Sequence, residues 1–161
     1  MNLLQLKRKR YSALSKLQRF ADMVLADGMK RGRELVVGTI STEVVQDLNS
    51  KGIELETTEV IVDDATIVKY IKHVKREKGA TVASGRYWMV EKTLKCPAHI
   101  YEDMEQKYLV YINTRAYARE KVLKVIVHPN YKSKGRKINL LKSIGVVEST
   151  KMDSPQYRKI K

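Results

Sequence analysis

The sequence predicts an α+β domain in which N-terminal helices pack on an antiparallel sheet of about four strands. In the first half of the chain, apolar residues recur every three or four positions, which is the helical period. Beyond Pro97, runs rich in β-branched and aromatic residues follow one another with short returns, which favours antiparallel pairing. With 161 residues, the chain is long enough to form one such domain around a buried core.

The first element is predicted to be a basic amphipathic helix. Its apolar face has the three-and-four spacing of a helix and consists of Leu14, Leu17, Ala21, Val24, Leu25 and Met29. Gly28 and Gly32 are expected to end the helix. Ahead of it, residues 7–10 (KRKR) form a basic arm that either contacts phosphates or lies free in solvent.

The middle of the chain is predicted to alternate between β-prone runs and helices. Residues 35–40 (LVVGTI) and 57–62 (TTEVIV) are the β-prone runs. Ser41 opens a helix between them, because its hydroxyl can cap the first helical turn. Asp63 or Asp64 can cap the following helix in the same way.

The helix that begins after Asp63 or Asp64 is predicted to carry a ridge of basic side chains with a histidine among them. The ridge consists of Lys69, Lys72, His73, Arg76 and Lys78. Gly79 is expected to end this helix. A further short helix, over residues 88–94, stops before Cys96 and Pro97.

The C-terminal part is predicted to form the sheet. Its strands cover residues 98–101, 107–113, 121–128 and roughly 137–148. The connections over 113–120 and 129–136 are expected to be long, and they are rich in Arg, Lys, Asn and Tyr. The chain then divides into a basic N-terminal helix, a nuclease-like α+β domain and a polar tail, at residues 1–33, 34–150 and 151–161.

Charge is the most informative property of the composition. Thirty-two Lys and Arg against eighteen Asp and Glu leave a net charge of +14, and the pI is near 9.8. The charge is segregated, with +7 over residues 1–33, −7 over 34–66 and +14 over 67–161. Such a balance in a small domain indicates a polyanionic partner, and nucleic acid is the first candidate.

Several classes of chemistry do not fit the sequence. Cys96 is the only cysteine, so an internal disulfide is excluded, and with three histidines in the chain a zinc site is not expected. The chain has no phosphate-binding glycine motif and no serine nucleophile elbow. No segment has the pattern of a signal peptide or a membrane span. We therefore expect a cytoplasmic protein that needs no metal ion, cofactor or membrane.

The side chains that remain suit the cleavage of RNA by its own ribose 2′-hydroxyl. This reaction needs a proton acceptor, a proton donor and cations on the charge that develops at the phosphate. His73 titrates near neutrality and is the candidate acid or base. The cations that could hold the phosphate are Lys72, Arg76 and Lys78. The alternative is that His73 is an exposed helix histidine without a role.

The predicted sheet offers further contacts for nucleic acid. Its connections carry basic residues with tyrosines among them, a combination that grips the backbone and stacks on bases. The candidates are Arg115, Arg119, Tyr131, Lys134, Arg136 and, in the last strand, Lys142. Ser143 could donate a hydrogen bond to a phosphate. Ordinary polar loops explain these residues equally well, and His99 and His128 are interpreted as strand-boundary residues.

The order of the motifs along the chain is itself a pattern that can be compared with known families. The motifs are LVVGTI, NSKGIEL, TEVIVDDA, YIKHVKREKG, a Trp-containing helix, Cys-Pro and a basic antiparallel sheet. In this order, residues 35–148 resemble the phage- and prophage-associated nuclease domains of the barnase, EndoU, colicin and RelE superfamily. The most specific part is IKHVKREKG. The resemblance implies a toxin-like, metal-independent endoribonuclease with a two-helix layer on a four-stranded sheet. It places the active site across the sheet face.

The resemblance also implies roles for individual residues. The helix histidine of the family falls on His73, with Lys72 beside it. The family commonly has a second histidine five residues later, where this chain has Lys78, which can stabilise phosphate charge but is a poor proton shuttle. The final strand would contribute Lys142 or Ser143. An origin in a phage or prophage follows, with a bacterial cytoplasm or a virion as the location and a phage structural protein or an immunity protein as a partner.

Two other functions fit the same charge. A non-catalytic nucleic-acid binder needs only the cations and tyrosines, and its affinity should fall steeply with salt. A virion structural protein would dock on its neighbour through residues 1–33 and turn its basic surface toward packaged nucleic acid or an acidic neighbour. RNA or another nucleic acid is thus the leading partner, and endoribonuclease activity is the leading function.

Overall fold

The computed structural model describes residues 2–6, 15–71, 87–118 and 120–161. The helices that contribute to the core are α1 (Lys16–Asp27), α2 (Thr42–Ser50), α3 (Asp64–Ile71) and α4 (Trp88–Lys95). The strands are β1 (Glu34–Thr39), β2 (Glu59–Asp63), β3 (His99–Asp103), β4 (Tyr108–Ala118), β5 (Lys121–Ser133), β6 (Arg136–Glu148) and β7 (Tyr157–Lys159). A 3₁₀ helix spans Ser149–Asp153. Within these ranges, no helix has the length and apolar character that crossing a bilayer requires.

The seven strands form one mixed sheet in the order β1-β2-β6-β5-β4-β3-β7. Neighbouring strands are antiparallel except β2 and β6, which run parallel. The predicted four-stranded antiparallel sheet under N-terminal helices, and with it the barnase/RelE-like architecture, is therefore wrong. Val60, Ile61 and Val62 are consecutive and all buried. A strand that is buried on both faces belongs inside a sheet, and β2 accordingly lies between β1 and β6.

The edge strand β7 falls in the segment that the sequence predicts to be a polar tail. It pairs antiparallel with β3. Arg158 donates hydrogen bonds to Glu102 (2.8 Å) and to Asp47 of α2 (2.6 Å), and the ammonium of Lys51 also contacts Glu102. Hydrophobic periodicity does not reveal β7, because the strand has only three residues and two of them are basic.

The central strands are longer than predicted, and the connections between them are correspondingly shorter. The β5–β6 hairpin turns through Lys134 (φ 52°) and Gly135 (φ 77°). Two successive positive φ values are typical of the tight turn whose twist matches that of its strands. Arg115, expected in a long connection, lies within β4.

The helices pack on one face of the sheet and form the main core with it. Representative buried members are Leu17, Val44, Leu94, Leu123 and Leu141. The opposite face, which we call the far face, carries two smaller apolar clusters. These consist of Val110, Ile112, Val122 and Met152, and of Ile61, Ile138 and Leu140. Met152 belongs to the 3₁₀ helix, which therefore lies against one end of the far face.

Candidate nucleic-acid interface

The far face carries a cluster of rings and one cation, which we call the central cluster: Tyr108, His128, Tyr131 and Lys142. The ring centroids of Tyr108 and His128 are 4.9 Å apart, and those of His128 and Tyr131 are 5.2 Å apart. The Nζ atom of Lys142 lies 5.5 Å from the centroid of the Tyr108 ring, within range of a cation–π interaction. All four residues are half-buried, so each keeps part of its surface accessible.

Cross-strand pairing brings the first two members of the central cluster together. Leu109 of β4 is opposite Val127 of β5, and both are buried in the main core. Because side chains alternate between the faces of a strand, the adjoining Tyr108 and His128 point to the far face. They are then direct neighbours across the two strands, which explains their ring contact.

A β-bulge in β6 adds Lys142. Ile126 is opposite Ser143, and Val127 is opposite Leu141, so Lys142 is an extra residue in β6. An extra residue bends its strand and re-aims nearby side chains, and bulges are frequent beside functional sites. Here the bulge directs the ammonium of Lys142 over the Tyr108 ring.

A second bulge, in β5, adds Tyr131. His128 is opposite Leu140 of β6, and Tyr131 is opposite Ile138. Three positions along β5 therefore correspond to two positions along β6. The intervening Pro129 has no N–H to give to a partner strand, and Asn130 has a φ of 53°. The backbone N–H of Asn130 donates to the side chain of the fully buried Asn139 (3.3 Å), which fixes the bulge. In a regular strand, residues three positions apart face opposite sides of the sheet, so the bulge is what brings Tyr131 to the face of His128.

The electrostatic environment keeps His128 neutral at neutral pH. Burial, and then the positive charge of Lys142, lower the pKa of His128 below its ordinary value. The Nδ1 atom of His128 is buried and makes no hydrogen bond to any residue that the structure describes. The cluster thus presents an uncharged imidazole beside an ammonium group.

The far face continues beyond the central cluster into a second group of rings. The centroids of Tyr101 and Tyr157 are 6.4 Å apart, and those of His99 and Tyr101 are 6.1 Å apart. Asp103 of β3 is opposite Tyr157 on one side and Tyr108 on the other, so the two groups lie on neighbouring strands. The rings together span the sheet from β7 to the β5–β6 hairpin.

A second lysine, Lys124 of β5, also lies on the far face. Lys124 is opposite Ile112 of β4 and Gly145 of β6, and it is half-buried. Burial lowers the pKa of Lys124, while the negative charge of Asp103 opposes that effect and Lys151 adds to it. The far face therefore carries two lysines as well as aromatic rings.

The structure describes some of the predicted site residues and not others. Lys72, His73, Arg76, Lys78 and Arg119 lie outside the described residues. Tyr131 and Lys142 belong to the central cluster, and Ser143 lies beside Lys142 on β6. Arg115 is placed in β4. Of the predicted site residues, Tyr131 and Lys142 are the two that the structure brings into the central cluster.

Lys134 and Arg136 lie at the tip of the β5–β6 hairpin, where both meet the carboxylate of Glu34. The Nζ atom of Lys134 is 3.8 Å from Glu34 Oε1 and donates to the carbonyl of Gly32 (3.4 Å), and the guanidinium of Arg136 also contacts Glu34. These bonds tie the hairpin tip to the start of β1. Because one carboxylate offsets part of their charge, the hairpin tip offers less free positive charge than the sequence suggests.

Sequence reasoning missed Tyr108 and treated His128 as a strand boundary. The signal for His128 lies in KVLKVIVHP, where Lys124, Ile126 and His128 alternate with three buried residues, Leu123, Val125 and Val127. This alternation places a lysine and a histidine on one face. No sequence signal locates the two bulges, since each depends on the partner strand.

Among residues 2–6, 15–71, 87–118 and 120–161, no three His, Cys, Asp or Glu side chains converge in a way that could hold a metal ion. The chain matches no protein-family model, no curated protein and no solved structure. Function is therefore inferred from the geometry and charge of the far face.

Proposed function

We propose that the protein binds RNA across the far face of its sheet and cleaves it without a metal ion. The observation that carries the proposal is the central cluster, in which a neutral imidazole lies between two phenol rings and close to an ammonium group. Aromatic rings, a base and a cation on one accessible surface are the groups that RNA binding and RNA cleavage require.

Binding follows from the rings and the cations. Unpaired bases stack on aromatic side chains, and each such contact contributes about 1–3 kcal/mol. Tyr108 and Tyr131 are the stacking candidates in the central cluster, and Tyr101 extends the surface toward β7. Lys142 and Lys124 are the partners for phosphate oxygens. The net charge of +14 favours association with any polyanion over a longer range.

Cleavage follows from the state of His128. A neutral imidazole can accept the proton of a ribose 2′-hydroxyl, after which the 2′-oxygen bonds to phosphorus and the bond from phosphorus to the 5′-oxygen breaks. The leaving 5′-oxygen takes a proton from a tyrosine hydroxyl of the cluster or from water. Lys142 stabilises the negative charge of the intermediate. The products are a 2′,3′-cyclic phosphate and a 5′-hydroxyl.

His73 is the other candidate for the proton acceptor. The sequence pattern around it, with Lys72, Arg76 and Lys78, and the family resemblance support that role. The origin in a phage or prophage, and a phage structural or immunity protein as partner, stay predictions.

A second candidate function is RNA binding without cleavage. The rings and lysines of the far face support it directly, because stacking and phosphate contacts need no proton transfer. The two functions differ in whether bound RNA is cut.

The test is to incubate the wild-type protein, His128→Ala and His73→Ala with a labelled single-stranded RNA in EDTA and to follow both binding and fragments. We expect wild-type fragments that end in a 2′,3′-cyclic phosphate, and a loss of about 100-fold or more when the acting histidine is removed. An all-2′-deoxy strand should bind and stay intact. Wild-type protein that binds RNA and leaves it intact would favour the second function, and protein that does not bind RNA would overturn both.

A further inference from the structure

A cavity of about 430 Å³ lies on the helix-covered side of the sheet, away from the far face. It is lined by β1, α4, β3 and β4. Its size falls in the lower part of the range of small-molecule sites, about 300–1,000 Å³. The walls include the apolar side chains of Val37, Leu94 and Ile100. These walls offer an apolar surface to a flat group of modest size.

Gly38 of β1 lines this cavity where the strand lies close to α4. A Cβ atom at Gly38 would lie 3.3 Å from the Cβ atom of Leu94, so the glycine lets α4 approach β1 closely. The cavity is thus bounded by two elements that are already in tight contact and that cannot readily close over it.

One polar group in the cavity wall has no hydrogen-bond partner within the part of the chain that the structure describes. Tyr111 of β4 is 2% exposed, and its hydroxyl makes no hydrogen bond to any of the described residues. Burial also raises the pKa of Tyr111, so the hydroxyl keeps its proton. A buried hydroxyl without a partner costs free energy, and a ligand atom in the cavity would offset that cost.

The mouth of the cavity carries positive charge. Lys95 and Lys161 both line it, and both are exposed. Glu91 also lines it, and its carboxylate already accepts a hydrogen bond from the hydroxyl of Ser15 (2.6 Å). Two ammonium groups against one engaged carboxylate favour an anionic group on the ligand.

We propose that this cavity binds a small aromatic carboxylate that carries a hydroxyl or carbonyl group at its far end. The carboxylate lies between Lys95 and Lys161, the ring packs against Leu94, and the far polar group pairs with the hydroxyl of Tyr111. The site is separate from the far face, so it does not depend on the proposed RNA chemistry.

Three related probes test both polar contacts on the full chain by calorimetry. 4-Hydroxyphenylacetate has the carboxylate and the hydroxyl, phenylacetate lacks the hydroxyl, and 4-hydroxyphenylacetamide lacks the charge. We expect the first probe to bind best, with each missing group weakening binding by roughly five- to tenfold.

The variants separate the two contacts. Tyr111→Phe should abolish the preference for the hydroxyl and keep the preference for the carboxylate. Lys95→Ala combined with Lys161→Ala should do the reverse, and because both lysines are exposed this variant is expected to fold. Lys92→Ala, on the same helix and outside the cavity wall, should change neither. The proposal is overturned if none of the probes shows saturable binding at millimolar concentration, or if the variants leave the order of the three probes unchanged.

Discussion

Asp64 joins the start of α3 to the segment before β1 through one buried carboxylate. The residue is 1% exposed. Its Oδ2 atom accepts hydrogen bonds from the backbone N–H groups of Arg31 (2.7 Å) and Arg33 (3.1 Å) and from Arg33 Nε (3.0 Å). Burial raises the pKa of Asp64, but these hydrogen bonds lower it by more, so it lies below the ordinary value. The folded protein is therefore stabilised by the ionised form.

Replacing Asp64 by Ala should be among the most destabilising single changes in the chain. It would leave two backbone N–H groups without their acceptor, and the Arg33 guanidinium would lose one of its two carboxylate partners and keep Asp27 (3.3 Å). Breaking a buried charged pair by removing one partner costs about 3–5 kcal/mol. Asp64→Asn keeps one acceptor oxygen and loses the charge, so we expect a cost of about 1–3 kcal/mol.

Urea denaturation, followed by circular dichroism at neutral and at acid pH, measures both effects. A carboxylate with a lowered folded-state pKa contributes its stability above the unfolded-state pKa of about 3.9 and loses it as the pH falls through the folded-state pKa. The difference between wild type and Asp64→Asn should therefore shrink in acid. Asp153→Ala, at an exposed acid of the 3₁₀ helix, is the matched control and should stay within about 0.5 kcal/mol of wild type. The reasoning would be refuted if Asp64→Ala and the control lost the same free energy of unfolding. It would also be refuted if wild type and Asp64→Asn differed in free energy of unfolding by the same amount at both pH values.

Three further predictions concern single positions. Gly38→Ala should lower the free energy of unfolding by about 1–3 kcal/mol in urea denaturation, because the new methyl group meets the Cβ atom of Leu94, and an unchanged free energy of unfolding would contradict that. Tyr111→Phe should leave the free energy of unfolding unchanged or raise it, since it removes a buried hydroxyl without a partner among the described residues, and a loss above about 1 kcal/mol would contradict that. RNA affinity should rise as the pH falls through the pKa of His128, which lies below the ordinary value of about 6.5, because His128 then gains a proton, and His128→Ala should reduce this rise in a fluorescence titration.

Local features of the fold could be predicted from the sequence where they depend on neighbouring residues. The hydroxyl of Ser41 caps α2 by accepting from the N–H of Val44 (3.5 Å), as predicted. Asp63 accepts from the N–H of Thr66 (2.8 Å) at the start of α3. Gly28 ends α1 with a φ of 68°. Each of these features involves residues within a few positions of one another.

Features that depend on the partner strand could not be predicted. Period-two alternation shows which residues share a face of β5, but it does not show that β2 pairs with β6 or that β7 joins the edge. The two bulges determine which way Lys142 and Tyr131 point, and each is a mismatch between two strands that neither strand encodes alone. Tyr131 and Lys142 were predicted as nucleic-acid contacts in a connection and in the last strand, and only the structure groups them with Tyr108 and His128.

The claim that the far face binds RNA is tested most directly by equilibrium binding of a single-stranded, fully 2′-O-methylated RNA, which cannot be cleaved by its own 2′-oxygen. Tyr108→Leu keeps apolar bulk and removes the stacking surface, so it should weaken binding about tenfold. Lys142→Ala should also weaken binding, and it should reduce the slope of log affinity against log salt by about 0.7. Lys92→Ala, on α4 at the other side of the sheet, is the matched control and should leave the affinity unchanged. If Tyr108→Leu and Lys142→Ala both bind as tightly as the control, with the wild-type salt slope, RNA does not bind at the far face.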